Sequence, residues 1–309
     1  MMRHRIPLPS ELSDVFTLRE AADAGISRAR ADARDLHRPY RGVRATRAPD
    51  TFASAVACGA RRLKPGQRFV GRTAVRLWCL PIRQRWAPDE PLDVAVPPTG
   101  APPRTAGIRG RRLLEHYART WRIGSIPVVD PIAAVFSFAA GLDVDEVVVL
   151  LDALLTQAEN YPGLRAGRPV ISPEDIADGL ERWPRFPGRR TVTEALGLAR
   201  ERVESPKETE TRLRLIRAGL PEPAVQHEVY EGTRLVARID LAYPQWKIAI
   251  EYEGDGHRTD PAQWRRDIQR QRELEDRGWI VIRLTQLDLA EGLTVLLARI
   301  RRAIASRQG

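Results

Sequence analysis

Cysteine, lysine and long apolar runs are scarce in this chain of 309 residues, and each shortage excludes a class of protein. The two cysteines, Cys58 and Cys79, lie far apart and fit neither a disulfide framework nor the ligand spacing of a zinc site, which indicates a reduced setting. No apolar run reaches the roughly 18 residues of a membrane span, because Asp130 and Pro131 interrupt the longest one. The first residues are basic but lack the apolar segment of a secretory signal. We therefore expect a cytoplasmic protein with no membrane partner.

Almost all of the basic residues are arginine, since only three of the 50 are Lys. Residues 1–125 contain 24 Lys and Arg against 11 Asp and Glu, whereas residues 126–309 contain 26 against 29. The positive excess therefore lies in the first part of the chain, as expected if that part contacts a polyanion such as DNA. A genome rich in G and C also favours arginine codons, so the clustering indicates nucleic acid and the arginine bias alone does not.

The N-terminal segment VFTLREAADAGISRARADARDL has the pattern of a helix-turn-helix. Thr17 and Ser27 would cap two short helices, Gly25 would supply the turn, and the small Ala21 and Ala31 would let the helices pack closely. The following PYRGVRA would form a basic wing. A helical hairpin with a solvated arginine face remains the alternative. The predicted DNA-contacting residues are Arg28, Arg30, Arg34, Arg38, Arg41 and Arg44.

An α+β multidomain fold follows from the rest of the chain, whose apolar content of 43% is ample for packed cores. Helical periodicity with one strand, PLDVAVPP, predicts a middle α/β unit without a catalytic constellation. Further on, Pro and Gly punctuate two short helices, and the last hundred residues alternate in the order α-β-β-β-α-β-α. The predicted parts are a winged helix (1–48), a middle domain (50–155), a helical extension and linker (156–204) and a C-terminal domain (205–309).

The stretch RIDLAYPQWKIAIEYEGDGH carries an unusual density of acids on two apolar strands. If Gln245 and Trp246 form a two-residue loop, the hairpin pairs Asp240 with Glu251, and alternation adds Glu253 to the same face. Carboxylates so arranged repel one another unless a cation lies between them. Ligands that are all oxygens suit Mg²⁺ or Mn²⁺, and such an ion would polarise a phosphodiester and activate water.

The motifs SPKET, AGLP, RIDLAYPQWKIAIEYEGDGH and RRDIQRQRELEDRGWIVIRLT resemble the very-short-patch-repair-like endonuclease domains. These belong to the restriction-endonuclease-like, PD-(D/E)XK, superfamily, and the resemblance covers residues 205–305. It implies a metal-dependent DNA nuclease in which Asp240 and Glu251 match the first and second acidic ligands. Asp267 and Arg270 also fit the family pattern, either as a phosphate contact or, as we favour, as an ion pair.

Glu253 departs from that family, because many members carry Lys at its position. A carboxylate cannot stabilise developing negative charge as Lys would, so Glu253 would bind the metal or act as a base, with His257 supplying proton chemistry. His257 alternatively forms only a loop hydrogen bond. Glu208 matches a helix glutamate that some members add as a metal ligand; it alternatively caps the helix, and the neighbouring Glu210 competes for the role.

The segment VFTLREAADAGISRARADARDLHRPYRGVRA is similar to the winged-helix domain of AbiEi-type antitoxins, and residues 50–155 resemble the domain that often follows it. That resemblance implies DNA binding, autoregulation or phage defence, and a toxin or phage-defence protein as partner. The expected function is therefore a DNA-binding, Mg²⁺-dependent endonuclease in phage defence or DNA repair. The alternatives are an antitoxin-like regulator that retains a nuclease fold without catalysis, and an interaction module in phage defence.

Overall fold

The computed structural model describes residues 7–253, 261–290 and 294–308, and His257 lies outside these ranges. The fold is mixed α+β, and its contacts divide the chain into two compact units. The first consists of Met1–Gly141 and Ala177–Arg189, and the second of Leu142–Ile176 and Arg190–Gly309. Among the described helices, none combines the length and apolar character needed to cross a bilayer.

The first unit begins with a helix pair and a two-stranded ribbon. Its elements are β1 (Val15–Thr17), α1 (Leu18–Asp23), α2 (Arg28–Ala31), β2 (Val43–Ala45) and α3 (Phe52–Ala60). The predicted cap of α1 is confirmed, because the Thr17 hydroxyl accepts from the Glu20 amide at 3.2 Å while the Glu20 carboxylate accepts from the Thr17 amide at 2.7 Å. Ser27 caps α2, and Gly25 makes the turn at a φ of 74°. Helix α2 is only four residues long, much shorter than the predicted RARADARDL.

A six-stranded sheet follows in the same unit, in the order β5-β6-β4-β3-β8-β7. Its elements are β3 (Arg68–Phe69), α4 (Gly71–Leu77), β4 (Leu92–Val96), β5 (Arg104–Thr105), β6 (Ile108–Arg112), β7 (Thr120–Ile123), β8 (Ile126–Val129) and α5 (Pro131–Phe138). The strand predicted at PLDVAVPP is β4, which is buried throughout. The other five strands were not predicted, because they are two to five residues long and several are rich in arginine, so they lack a clear alternation of apolar side chains.

The second unit contains α6 (Val144–Leu155), α8 (Arg189–Leu198) and α9 (Pro206–Arg217), while the division between the units falls inside α7 (Pro173–Arg182). The contacts thus group α6 with the C-terminal part, away from the boundary predicted at 155. A buried carboxylate explains this: Asp152 on α6 accepts from Thr209 at 2.8 Å and from Arg212 at 3.0 Å, both on α9. It also accepts from the Arg200 amide at 2.7 Å, so part of the predicted linker is fixed to the same unit.

The C-terminal sheet has four strands in the order β12-β11-β10-β9. Its elements are β9 (Ala224–Glu231), β10 (Arg234–Tyr243), β11 (Ile248–Tyr252), α10 (Pro261–Asp276), β12 (Ile280–Leu284), α11 (Gln286–Ala290) and α12 (Thr294–Gln308). With α9 in front, this is the predicted order, with the short α11 added. Strands β9, β10 and β11 are antiparallel, and β12 pairs with β11 in parallel. One core cluster, which includes Leu241, Ile250 and Ile282, fills the face covered by α12.

Candidate active site

The hairpin of β10 and β11 has the predicted register. Leu241 pairs with Ile250 and Tyr243 with Ile248, so one further step brings Asp240 opposite Glu251. The connection itself differs from the predicted two-residue loop, because Pro244–Trp246 forms a 3₁₀ turn followed by a left-handed residue at φ 49°. The Tyr252 amide donates to Asp240 Oδ2 at 3.2 Å, which fixes this carboxylate at the end of the hairpin.

Glu251 is a buried carboxylate with one satisfied oxygen. The residue is 6% exposed, and Arg270 on α10 donates to its Oε2 at 3.1 Å. Its Oε1 is buried and has no hydrogen-bond partner among the described residues. Burial raises the pKa of Glu251, the charge of Arg270 opposes this, and the charge of Asp240 adds to it. An unsatisfied buried oxygen is costly, so this position suits a cation or a water molecule.

Asp240 is in a similar electrostatic situation. Burial raises its pKa, while the hydrogen bond from the Tyr252 amide and the charge of Arg270 lower it. Arg270 therefore acts on both carboxylates, and it forms an ion pair with Glu251 at 3.1 Å. Two facing carboxylates with raised pKa values mark a site where negative charge is not fully compensated by the protein.

Glu208 lies close enough to Asp240 for their charges to interact, and its carboxylate is bound at the start of helix α9. It is 5% exposed and accepts from the Glu204 amide at 2.9 Å, the Ser205 hydroxyl at 2.8 Å and the Gln226 side-chain amide at 2.9 Å. Burial, followed by the charge of Asp240, raises the pKa of Glu208 to about 7. Its carboxylate oxygens are therefore already engaged. The rival Glu210 pairs with a neighbouring lysine on its own helix at 2.8 Å.

Gln226 is the site residue that the sequence analysis missed. It is 2% exposed, has a left-handed φ of 49°, and joins Glu208 to Asp240, whose pKa its hydrogen bond lowers. A residue other than glycine rarely adopts a positive φ unless contacts in the surrounding structure stabilise it. Residues with such strained backbones cluster at functional sites. A lone Gln in the strand VQHEVYE carries no sequence signal for this role.

Glu253 binds Arg283 on strand β12, which forms no hydrogen bond with Asp240 or Glu251 among the described contacts. Arg283 donates to its Oε1 at 2.5 Å, and the Glu253 amide donates to the Leu284 carbonyl at 2.8 Å. Arg283 is also the direct neighbour of Glu251 in the parallel pairing of β11 and β12, and its charge lowers the pKa of Glu251. The neighbouring strand thus brings a cation beside both Glu251 and Glu253.

The described residues include no group of three or more His, Cys, Asp or Glu side chains placed to hold a metal ion. The predicted four-carboxylate set is thus reduced to Asp240 and Glu251, because the other two acids are held by protein donors. Two carboxylates and one free buried oxygen still fit Mg²⁺, which commonly takes one or two protein carboxylates and completes its shell with water and phosphate oxygens.

The expectation of an exposed basic wing fails at Arg44. This residue is 4% exposed and donates to the carbonyls of Ala31 at 2.8 Å and Val43 at 2.9 Å, and to the Asp32 carboxylate. Asp32 also accepts from Arg28 at 2.6 Å. The hydrogen bonds from Arg28 and Arg44 lower the pKa of Asp32 to about 2. Arg44 therefore holds α2 against β2 and is not available to a phosphate.

The other predicted DNA-contacting arginines are only partly available. Arg30 forms a bidentate ion pair with Asp35, with hydrogen bonds of 3.1 and 3.2 Å, and its side chain is only 12% exposed. Arg38 is exposed but donates to a backbone carbonyl at 2.6 Å. Arg34 and Arg41 are exposed. The helix pair thus uses much of its positive charge to hold itself together.

Two known proteins resemble part of this chain, and neither has a described function. No family model and no solved structure matches the chain. Two uncharacterized proteins, MT2308 and Rv2248, from two strains of Mycobacterium tuberculosis are each 35% identical to it over 118 residues. The match covers 37% of this chain and 44% of each relative, so the chain spans less than half the length of the curated relatives it matches.

Proposed function

We propose that this protein is a Mg²⁺-dependent DNA endonuclease of the PD-(D/E)XK kind, with Asp240 and Glu251 as the metal ligands. The observation that carries the proposal is the partnerless buried Oε1 of Glu251, in the residue opposite Asp240 in the hairpin. The raised pKa values of both residues support it, because a bound cation would compensate charge that the protein leaves uncompensated. The element order of the C-terminal sheet and its helices is also that of the proposed fold.

The side chains around this pair have distinct tasks in the proposed reaction. When bound, Mg²⁺ supplies Lewis acidity toward the phosphodiester and lowers the pKa of a coordinated water. Arg270 orients Glu251 through their 3.1 Å hydrogen bond, and the Tyr252 amide orients Asp240. Arg283 contributes positive charge beside Glu251 and prevents Glu253 from acting as a free base.

Cleavage of a supercoiled plasmid in Mg²⁺ tests this function. Asp240→Asn keeps an acceptor for the Tyr252 amide but removes the ligand charge, so nicking should disappear. Glu210→Gln is the matched control, because this acid lies on α9 close to Glu208 but pairs with Lys207. Nicking of equal rate by the wild type and by Asp240→Asn would show that the activity belongs to a contaminant, and the proposal would be withdrawn.

A non-catalytic regulator of the antitoxin type is the second candidate, acting in the cytoplasm with a toxin or phage-defence protein as partner. It is favoured by one observation: Glu253 is bound to Arg283, and within the described ranges only two carboxylates remain for a metal. An intact plasmid together with a salt-sensitive gel shift is the result that this candidate requires. Plasmid nicking that depends on Asp240 would reject it.

A further inference from the structure

Arginines line one edge of the six-stranded sheet, far along the chain from the helix pair. The pairing of β4 with β6 aligns Asp93 with Arg109, and the pairing of β6 with β5 aligns Arg109 with Arg104. Paired residues in a sheet share a face, so these three form a row across three strands. Arg111 lies two residues further along β6 and therefore on the same face. We refer to Arg104, Arg109 and Arg111 as the arginine row.

The row contains an unfavourable pair of like charges. Arg104 and Arg109 are directly opposite each other on neighbouring antiparallel strands, an arrangement that destabilises a sheet. Arg104 is exposed and has no ion-pair partner among the described residues, and the side chain of Arg109 is 63% exposed. Asp93 pairs with Arg109 at 3.6 Å and offsets only one of the two facing charges, so the pair keeps a net positive charge that suits an anionic ligand.

A single buried carboxylate, that of Asp93, lies beside the arginine row on the same face of the sheet. Asp93 is 3% exposed, and its Oδ1 lies 3.6 Å from Arg109 Nε and 3.9 Å from Arg111 Nη2 without a hydrogen bond to either. Its Oδ2 accepts from the Arg72 amide at 3.2 Å. Arg111 is held from a second side, because it donates to the Ser137 carbonyl at 2.9 Å. One aspartate thus positions two guanidinium groups but neutralises only one charge.

Close backbone approach at Gly71 is part of the same arrangement. This residue has a left-handed φ of 58°, and a Cβ on it would lie 3.0 Å from Asp93 Oδ2 and 3.4 Å from Arg111 Nη2. A side chain there would therefore disturb the carboxylate and one of the arginines that it supports. Gly71, Asp93 and Arg111 are therefore closely packed, as expected of a site whose side chains are held in place.

We infer that the arginine row contacts the phosphate backbone of double-stranded DNA. Planar guanidinium forks match phosphate oxygens in pairs, and the first 125 residues carry the positive excess of the chain. Strands β5 and β6 contain no aromatic residue on which an unpaired base would stack, which favours a duplex over a single strand. The inference deepens the proposed function and rests on it for the choice of DNA as the polyanion.

Duplex binding by the full chain in EDTA tests the row without any cleavage. The measurement is the slope of log K against log salt concentration for a random-sequence duplex, followed by fluorescence anisotropy. Each phosphate contact contributes about 0.9 to this slope, so the double variant Arg104→Gln/Arg109→Gln should be shallower by about 1.8. The variant Arg104→Lys/Arg109→Lys keeps the charge and should restore most of the slope.

Arg122→Gln is the matched control, because Arg122 is an exposed arginine on β7, the opposite edge strand of the same sheet. An unchanged slope in the double glutamine variant overturns the inference, as does an equal loss in Arg122→Gln or a wild type that binds no duplex. Tighter row-dependent binding of single-stranded DNA, or of polyglutamate in place of DNA, also overturns it. Binding in EDTA requires neither a metal nor cleavage, so a negative result in the plasmid test does not affect the interpretation of this measurement.

Discussion

Arg270 on helix α10 donates to Glu251 on strand β11 at 3.1 Å, and this is the only hydrogen bond that the Glu251 carboxylate accepts among the described residues. The charge of Arg270 lowers the pKa of Glu251 against the opposing effect of burial. Burial still raises the pKa overall, and the helix contributes the charge that favours the ionised form of Glu251 next to Asp240.

Arg270→Ala should therefore destabilise the fold and weaken any metal-dependent activity. It leaves a buried carboxylate without a partner, which costs about 1–3 kcal/mol in the free energy of unfolding at neutral pH. Urea denaturation measures the loss, and Arg272→Ala on the same helix serves as the control. The loss should shrink in Arg270→Ala/Glu251→Gln, and an equal loss in that double variant would contradict the prediction.

Stability should fall as the pH rises between about 4.5 and 7 because of Glu208. Its pKa is raised from 4.5 to about 7 in the folded protein, mainly by burial, so the folded state binds more protons than the unfolded chain in that window. The stabilisation from the protonated Glu208 is complete below pH 4.5 and is lost as the pH rises through about 7. It amounts to at most about 3 kcal/mol.

Glu208→Gln should flatten this pH dependence, and thermal unfolding at pH 5 and pH 8 measures it. Glu210→Gln on the same helix is the control, and it tests whether the loss of any carboxylate from α9 has the same effect. A Glu208→Gln profile as steep as that of the wild type would show that Asp240 and Glu251, whose pKa values are also raised, carry the effect.

Mg²⁺ should raise the melting temperature of the wild type through Asp240 and Glu251. A ligand that binds only the folded state stabilises it by about 2.7 kcal/mol at a concentration 100 times its dissociation constant. Thermal scans at pH 8 with increasing Mg²⁺ measure the shift, which should be absent in Asp240→Asn. A melting temperature that rises equally in both proteins would place the ion elsewhere on the molecule.

The buried pair of Asp152 and Arg212 should be the costliest ion pair to break in the second unit. Both side chains are 0% exposed. Removing one partner of a buried pair costs about 3–5 kcal/mol, and the second pair of Arg212, with Glu222 at 2.9 Å, should keep the loss at the lower end of that range. Asp152→Ala should show this loss in urea denaturation. Asp145→Ala, which breaks a more exposed pair with Arg217, should cost at most about 1 kcal/mol.

Arg104→Gln should stabilise the first unit slightly, because it removes the like-charge pair with Arg109. The expected gain is about 0.2–1 kcal/mol at low salt and should decrease at 1 M salt, where exposed charges are screened. Denaturation at both salt concentrations measures it. A loss of stability would show that Arg104 makes a favourable contact in the folded sheet.

Local chemistry allowed much of the fold to be predicted from sequence. The caps at Thr17 and Ser27 and the turn at Gly25 depend only on residues a few positions apart. The facing positions of Asp240 and Glu251 follow from the period of a strand and a short connection, so the register was predicted although the turn type was not. The order of elements in the last hundred residues has the same origin.

The positions of helices and strands in the C-terminal part, and the two acids that face each other, can be predicted from local sequence patterns. The partners of the other polar groups depend on tertiary contacts. Arg283 holds Glu253, Gln226 joins Glu208 to Asp240, and Arg44 is buried. Each of these contacts unites segments that are separated along the chain, and a charged side chain looks the same in sequence whether it faces solvent or a buried partner. Long-range packing therefore determines which carboxylates are bound by other side chains and which are not.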